Sequence, residues 1–174
     1  AVSKKPVREM MNSWVRQVGY PLVEAAVSDS KISLTQKRFL LEAGSNGKGS
    51  WIIPISIKMR DRFVSKLMDK KSHEIALDSR EDWFKINPGQ KGLYRVKYDN
   101  ESLQRLKDLV EEKTLENVDR WGVQNDLFAL CMSGEIPLKN YLDFINSYFD
   151  EDDYLVSVDI ADSLYFVYLI TSDE

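Results

Sequence analysis

Between Pro6 and Val18 the apolar residues Val7, Met10, Met11, Trp14, Val15 and Val18 recur at spacings of three and four, while Arg8, Glu9, Asn12 and Arg16 fall elsewhere. That spacing predicts an amphipathic helix. Gly19 can take the left-handed conformation that closes a helix, and Pro21 cannot continue one, so the helix ends between them.

From Pro21 to Tyr98 the pattern shortens to segments rich in β-branched and aromatic residues, separated by turn formers. Leu22 to Val27 precedes the polar turn Ser28-Asp29-Ser30; then Ile32, Leu34 and Gln36 alternate with Ser33, Thr35 and Lys37, which predicts one buried and one wet face. Glu42 to Ser50 reads as a flexible glycine-rich loop. Trp51 to Ile57 resumes a strand, and Pro54 places that part on an edge or at a bulge because it offers the ladder no N–H. Arg62 to Met68, His73 to Leu77, Trp83 to Ile86 and Leu93 to Tyr98 bring the expectation to about seven strands, an Ig-like β-sandwich. Pro88 and Gly89 suit the centre of a type II turn, so the last two strands are expected to pair as a hairpin, with Tyr94, Val96 and Tyr98 facing the core and Arg95 and Lys97 the other side.

At Asn100 the period becomes helical. Leu103, Leu106, Leu109 and Val110 form one stripe behind a cap at Asp99 or Asn100; Val123, Leu127, Leu130 and Cys131 form a second; Leu138, Tyr141, Leu142, Ile145, Tyr148 and Phe149 form a third. A fourth helix runs from about Tyr154, after an acidic run that suits an N-terminal dipole, to about Thr171. The fold expected is therefore a short N-terminal helix, a seven-stranded sandwich and about four helices, divided as 1–19, 20–99 and 100–174. Leu164 to Ile170 is apolar or aromatic on every side, so that helix calls for covering elements.

The 174 residues are 43% apolar and 30% charged, a soluble globular composition. With 28 acidic against 24 basic side chains, broad phosphate binding is disfavoured, and nucleic acid is not an expected partner. The longest uninterrupted apolar run, Leu164 to Ile170, is far shorter than the roughly 20 residues that cross a bilayer, so no membrane span is expected. A single cysteine rules out an internal disulfide and fits a cytoplasmic setting.

Candidate chemistry is sparse. With His73 the only histidine and Cys131 the only cysteine, no H-E-x-x-H or Cys-x-x-Cys metal set can be assembled. Asp150 to Asp153 could form a carboxylate site for calcium or magnesium, but the glycine and spacing of an EF-hand loop are missing, and a solvated helix start is the favoured reading. Alternation makes His73 a strand residue, and Cys131 shares a stripe with Leu127 and Leu130, which marks a buried inert thiol. G-S-N-G-K-G-S departs from phosphate-loop spacing and precedes a strand. Glu111 and Glu112 are adjacent and so diverge on a helix, as solvated charge does. The residues alone assign no catalytic, cofactor-binding or metal-binding position.

Six blocks in order carry a resemblance: M-M-N-S-W-V-R-Q-V-G-Y-P-L-V, L-T-Q-K-R-F-L, W-I-I-P-I-S-I, W-F-K-I-N-P-G-Q-K-G-L-Y-R-V-K-Y-D, D-R-W-G-V-Q-N-D-L-F-A-L-C-M-S-G-E-I and E-D-D-Y-L-V. Together they resemble the region after the catalytic domain in zinc aminopeptidases of the aminopeptidase N family, which includes the puromycin-sensitive and tricorn-interacting aminopeptidases. The resemblance implies that 1–19 ends a thermolysin-like domain, that 20–99 is the family's small β-sandwich, and that 100–174 opens its α-helical C-terminal domain. It also implies a parent enzyme with one zinc ion that removes amino acids from peptide N-termini, with peptides and the other domains of the same polypeptide as partners. H-E-x-x-H and G-A-M-E-N are absent, so no zinc ligand or catalytic group carries over to this chain, which is expected to be inactive alone. Its expected role is to space and orient the helical cap over the substrate chamber. The alternative is a free-standing Ig-like interaction module with a helical extension.

Overall fold

Helix α1 spans Val7–Val15, and seven strands follow: β1 Pro21–Ser28, β2 Lys31–Arg38, β3 Ile53–Met59, β4 Phe63–Met68, β5 Ser72–Ala76, β6 Phe84–Ile86 and β7 Arg95–Tyr98. Four helices close the chain: α2 Asn100–Glu111, α3 Asn117–Met132, α4 Leu138–Ile145 and α5 Tyr154–Thr171. The structure is a computed structural model and describes residues 6–28, 30–41, 49–77 and 82–172. The expected loop over Glu42 to Ser50 and the turn at Asp29 lie largely outside the described residues.

The strands form two sheets, ordered β5-β2-β1-β7 and β4-β3-β6. Alternation is obeyed: Val23, Ala25, Ile32, Leu34 and Val96 face inward from the first sheet, and Ile53, Ile55, Ile57 and Met59 meet them from β3. Trp51 is enclosed with them, and Gln36 closes that end of the sandwich, accepting the Trp51 N–H at 2.8 Å and donating to the Trp51 carbonyl at 2.9 Å. Pro54 lies in the central strand β3, yet β6 covers only Ile57 to Met59, so Pro54 occupies the half of β3 that has one neighbour. There α1 reaches in: Trp14 Nε1 donates to the Ile52 carbonyl at 3.1 Å, and the Ile52 N–H donates to Ser13 Oγ at 3.0 Å.

The hairpin expected between Trp83–Ile86 and Leu93–Tyr98 does not form. β6 pairs with β3 in one sheet, while β7 runs parallel to β1 in the other, Leu22 opposite Arg95 and Ala25 opposite Tyr98. The turn itself is present: the Gln90 N–H donates to the Asn87 carbonyl at 3.0 Å, and Gly89 sits at φ 73, ψ 11, the third position of a type II turn. Asn87 (φ 57) and Gln90 (φ 51) flank it in the left-handed region, and this extra rotation carries the chain across the sandwich rather than back along β6.

Asp99 performs two jobs where sheet gives way to helix. Its Oδ1 accepts the Ser102 N–H at 2.8 Å and caps α2, while its Oδ2 accepts the Val27 N–H at 2.8 Å and terminates β1. The helices share a second core of Leu106, Val110, Val123, Leu127, Tyr141, Phe144 and Val156. α5 is long and apolar enough to cross a membrane by length and composition, a description that core helices of soluble proteins also meet. Here it rests on the other helices through Val156, Ser163 and Val167 and leaves most of its apolar surface uncovered.

Candidate functional site

The outward positions of the first sheet, which alternation assigns to water, are where the helices dock. Leu22, at an outward position of β1, is fully buried against Phe39, Ala129 and Leu130, so the C-terminal half of α3 lies on the sheet. Around that apolar contact the outward charges of β1, β2 and β7 meet acids from α3 and the turn after it. Glu135 takes Lys37 Nζ at 2.6 Å and Lys97 Nζ at 2.7 Å, and Lys37 also reaches Glu24 at 3.1 Å. Burial acts to raise the Glu135 carboxyl, but the hydrogen bonds from Lys37 and Lys97 outweigh it and hold the carboxyl below its ordinary value.

Asp126, 4% exposed, accepts the Val96 backbone N–H at 3.1 Å and Arg95 Nη1 at 3.2 Å. Arg95 also donates to the carbonyl and side-chain oxygens of Asn125. Burial pushes the Asp126 carboxyl up to about 6 against the pull of Lys85 and Arg95. Two turns earlier on the same face, Asp119 accepts the Gly89 N–H at 2.7 Å and lies 3.9 Å from Lys85 Nζ. Lys85 is itself 1% exposed and donates to the Ile86 carbonyl at 2.6 Å; burial pushes its ammonium below the ordinary lysine value, with Asp119 and Asp126 opposing. Asp119 and Asp126 stand seven positions apart, two turns on one side of α3, which is why one reaches the β6–β7 connection and the other β7.

The other side of α3 is tied to the helical layer. Arg120 and Glu151 form a two-pronged pair at 2.6 Å each, and Arg120 also donates to the Leu115 carbonyl at 2.7 Å. Tyr141 Oη donates to Gln124 Oε1 at 3.1 Å, and Gln124 donates to Asp159 of α5. α3 is thus the shared element: its polar side chains alternate between sheet and helix partners.

A cleft of about 310 Å³ opens at the rim of this junction, lined by Tyr20, Gln90, Leu93, Tyr94, Arg95 and Trp121 among others. Gly92 and Gly122 shape it. A Cβ at Gly92 would stand 2.2 Å from the Tyr94 ring, and one at Gly122 would stand 1.7 Å from Gln90 Nε2.

The residues singled out from sequence scatter. His73 is half-buried on β5, opposite Leu34. Cys131 is partly buried on α3, and burial pushes its thiol up, away from the reactive thiolate. Glu111 and Glu112 are exposed at the end of α2. The acidic run corrects one expectation: Asp150 is exposed and Asp153 caps α5 through the Leu155 and Val156 N–H groups, but Glu151 is not solvated, since Arg120 draws it into the helical layer. Among the described residues no cluster of three or more His, Cys, Asp or Glu side chains could hold a metal ion. Sequence reading missed Asp119, Asp126 and Glu135; their signal was a pair of acids seven positions apart within one helix and a third nine positions on, in the turn that follows it.

The model of the ERAP1-like C-terminal domain family matches residues 83–174. The chain is 37% identical to the tricorn protease-interacting factor F2 of Thermoplasma acidophilum over 99% of its own length and 21% of that protein. It is 36% identical to aminopeptidase M1-A of Oryza sativa over 92% of its length and 19% of that protein, and 35% identical to aminopeptidase M1 of Arabidopsis thaliana over 99% and 22%. The chain spans about a fifth of the length of the curated relatives it matches. It belongs to the ERAP1-like C-terminal domain family.

Proposed function

We propose that this chain is the non-catalytic, spacer-forming part of a zinc aminopeptidase whose full-length form removes N-terminal amino acids from peptides. In this reading 1–19 closes the catalytic domain, 20–99 is the sandwich and 100–174 opens the helical cap. The sandwich holds the cap at a fixed angle over the substrate chamber. The observation that carries it is the strap along α3 and the turn after it: Asp119, Asp126 and Glu135 each bond or pair with β6, β7 or β2, where a freely hinged linker would have none of these contacts. The aminopeptidase names of the relatives support the activity of the parent.

The zinc ion belongs elsewhere in that parent. His73 on β5 and Cys131 on α3 sit on separate elements, and no described acid cluster replaces them, so the residues here do not fit the ion and no step is derived through it. No residue of this chain is given a catalytic role. Its partners in this reading are the other domains of the polypeptide and, through the parent, peptides; the setting is cytoplasmic.

The test has two arms. Purified chain supplied with zinc is expected to release no dye from an aminoacyl-dye substrate; zinc-dependent release would overturn the non-catalytic assignment. In the full-length enzyme Asp126→Ala is expected to lower kcat at unchanged zinc content, because the cap loses its angle. An unchanged kcat would remove the spacer role.

A further inference from the structure

Two donors at the cleft beside α3 have no acceptor. Gln90 Nε2 and Trp121 Nε1 are buried and without hydrogen-bond partners, and both residues line the cleft. Gln90 Nε2 rests over Gly122, the residue after Trp121 on α3. Native proteins rarely leave buried donors unmatched, and these two can only donate. Tyr94 Oη, also at the cleft, is directed at Ser56.

The nearby acceptors are already engaged. Asp126 serves Val96 and Arg95, and the Asn125 side-chain oxygen serves Arg95. The unmet demand is for an acceptor, and Arg95 makes the potential favour an anion. Asp126 offsets much of that charge, so a singly charged planar carboxylate suits the pair of donors better than a dianionic phosphate. Tyr20 and the 70% exposed Leu93 add an apolar lip, which fits a carboxylate attached to an apolar or aromatic body.

We propose that this cleft binds a small organic carboxylate, with Trp121 Nε1 and Gln90 Nε2 donating to its oxygens and Tyr20 and Leu93 covering its apolar end. Both donors are closed to solvent, so entry requires the Gln90 amide to swing outward. It is restrained through its Oε1 by one hydrogen bond of 3.2 Å from Asn87 Nδ2, on a backbone already in the left-handed region. The site does not depend on the peptidase reading.

The experiment is a titration of the 174-residue chain with sodium benzoate, following the indole N–H resonances by NMR. The Trp121 resonance is assigned by its loss in Trp121→Phe. It is expected to shift saturably with benzoate and not with sodium chloride at equal ionic strength. Gln90→Ala, at an unchanged melting temperature, is expected to weaken binding about tenfold, the effect of one hydrogen bond to a charged group. Absence of a saturable shift, an equal shift with chloride, or undiminished binding in Gln90→Ala would overturn the proposal.

Discussion

Asp126, a helix side chain, accepts the backbone N–H of Val96 at 3.1 Å and so occupies a hydrogen-bonding position on the open edge of β7. An edge strand presents a row of unpaired backbone groups, and here a carboxylate from the docked helix satisfies one of them. Asp126→Ala is expected to cost about 1 to 3 kcal/mol, because the Val96 N–H is then left without its acceptor and Arg95 keeps only Asn125. Denaturant unfolding measures it, and no change in the midpoint would count against the contact.

The same carboxyl predicts a pH dependence. Its folded value is raised, to about 6 from an ordinary 3.8, so the stability it contributes is fully present below 3.8 and is lost as pH rises through about 6. Between about pH 7 and about pH 5 the wild type should gain about 1 kcal/mol relative to Asp126→Asn. Unfolding curves at the two pH values test this; a parallel response of both proteins would refute it.

Glu151 carries the opposite sign. Its carboxyl is held below the ordinary range by Arg120 although burial opposes this, so its contribution is present above the unfolded value and lost as pH falls through the folded one. The pair is nearly enclosed, at 8% and 4% side-chain exposure, so Arg120→Ala should cost about 3 to 5 kcal/mol. Lys31→Ala, which removes an exposed pair with Glu74, should cost at most about 1 kcal/mol. Equal effects of the two substitutions would show that burial does not govern the Arg120 pair.

Gly122→Ala forces the Gln90 side chain off α3 and is expected to destabilise by about 1 to 3 kcal/mol. Combined with Gln90→Ala, the same substitution should turn neutral or stabilising, since alanine is favoured over glycine inside a helix by about 1 kcal/mol. A double-mutant cycle by thermal unfolding decides it, and simple additivity would contradict the contact.

Tyr94→Ala and Val96→Ala remove side chains from the sandwich core and should each lower stability by about 1 to 4 kcal/mol. An unchanged melting midpoint would show that these side chains do not point inward.

The bare side of α5 makes a solution prediction. Tyr165, 63% exposed, and its exposed neighbours Tyr168, Leu169 and Ile170 form an apolar surface, so the chain should bind a hydrophobic dye and self-associate at high concentration. Tyr165→Ser with Leu169→Ser should reduce both, as seen by fluorescence and light scattering. A clean monomer without dye binding would favour the free-standing interaction module.

Element type and inward face were legible in the chain. The three- and four-residue spacing of Leu103, Leu106 and Val110, the alternation through Ile32 and Leu34, the stop at Gly19-Pro21 and the cap at Asp99 are local features, and local sterics and hydrogen bonding fix their outcome. Even the type II turn at Pro88-Gly89 was local in this sense. What lay beyond the sequence was pairing between distant elements. Adjacency suggested that β6 and β7 form a hairpin, whereas β7 pairs with β1, some 70 positions earlier, because the left-handed Asn87 and Gln90 redirect the chain and β1 offers an open edge.

The candidate site shows the same division. Alternation placed Lys37, Arg95 and Lys97 on the outward face, and it could not tell water from a docked helix, since both leave the same period-two pattern. Only the tertiary structure decides that this face lies under α3 and that Asp119, Asp126 and Glu135 are its fasteners. Periodicity records which side of an element a residue occupies; long-range packing determines what stands opposite it.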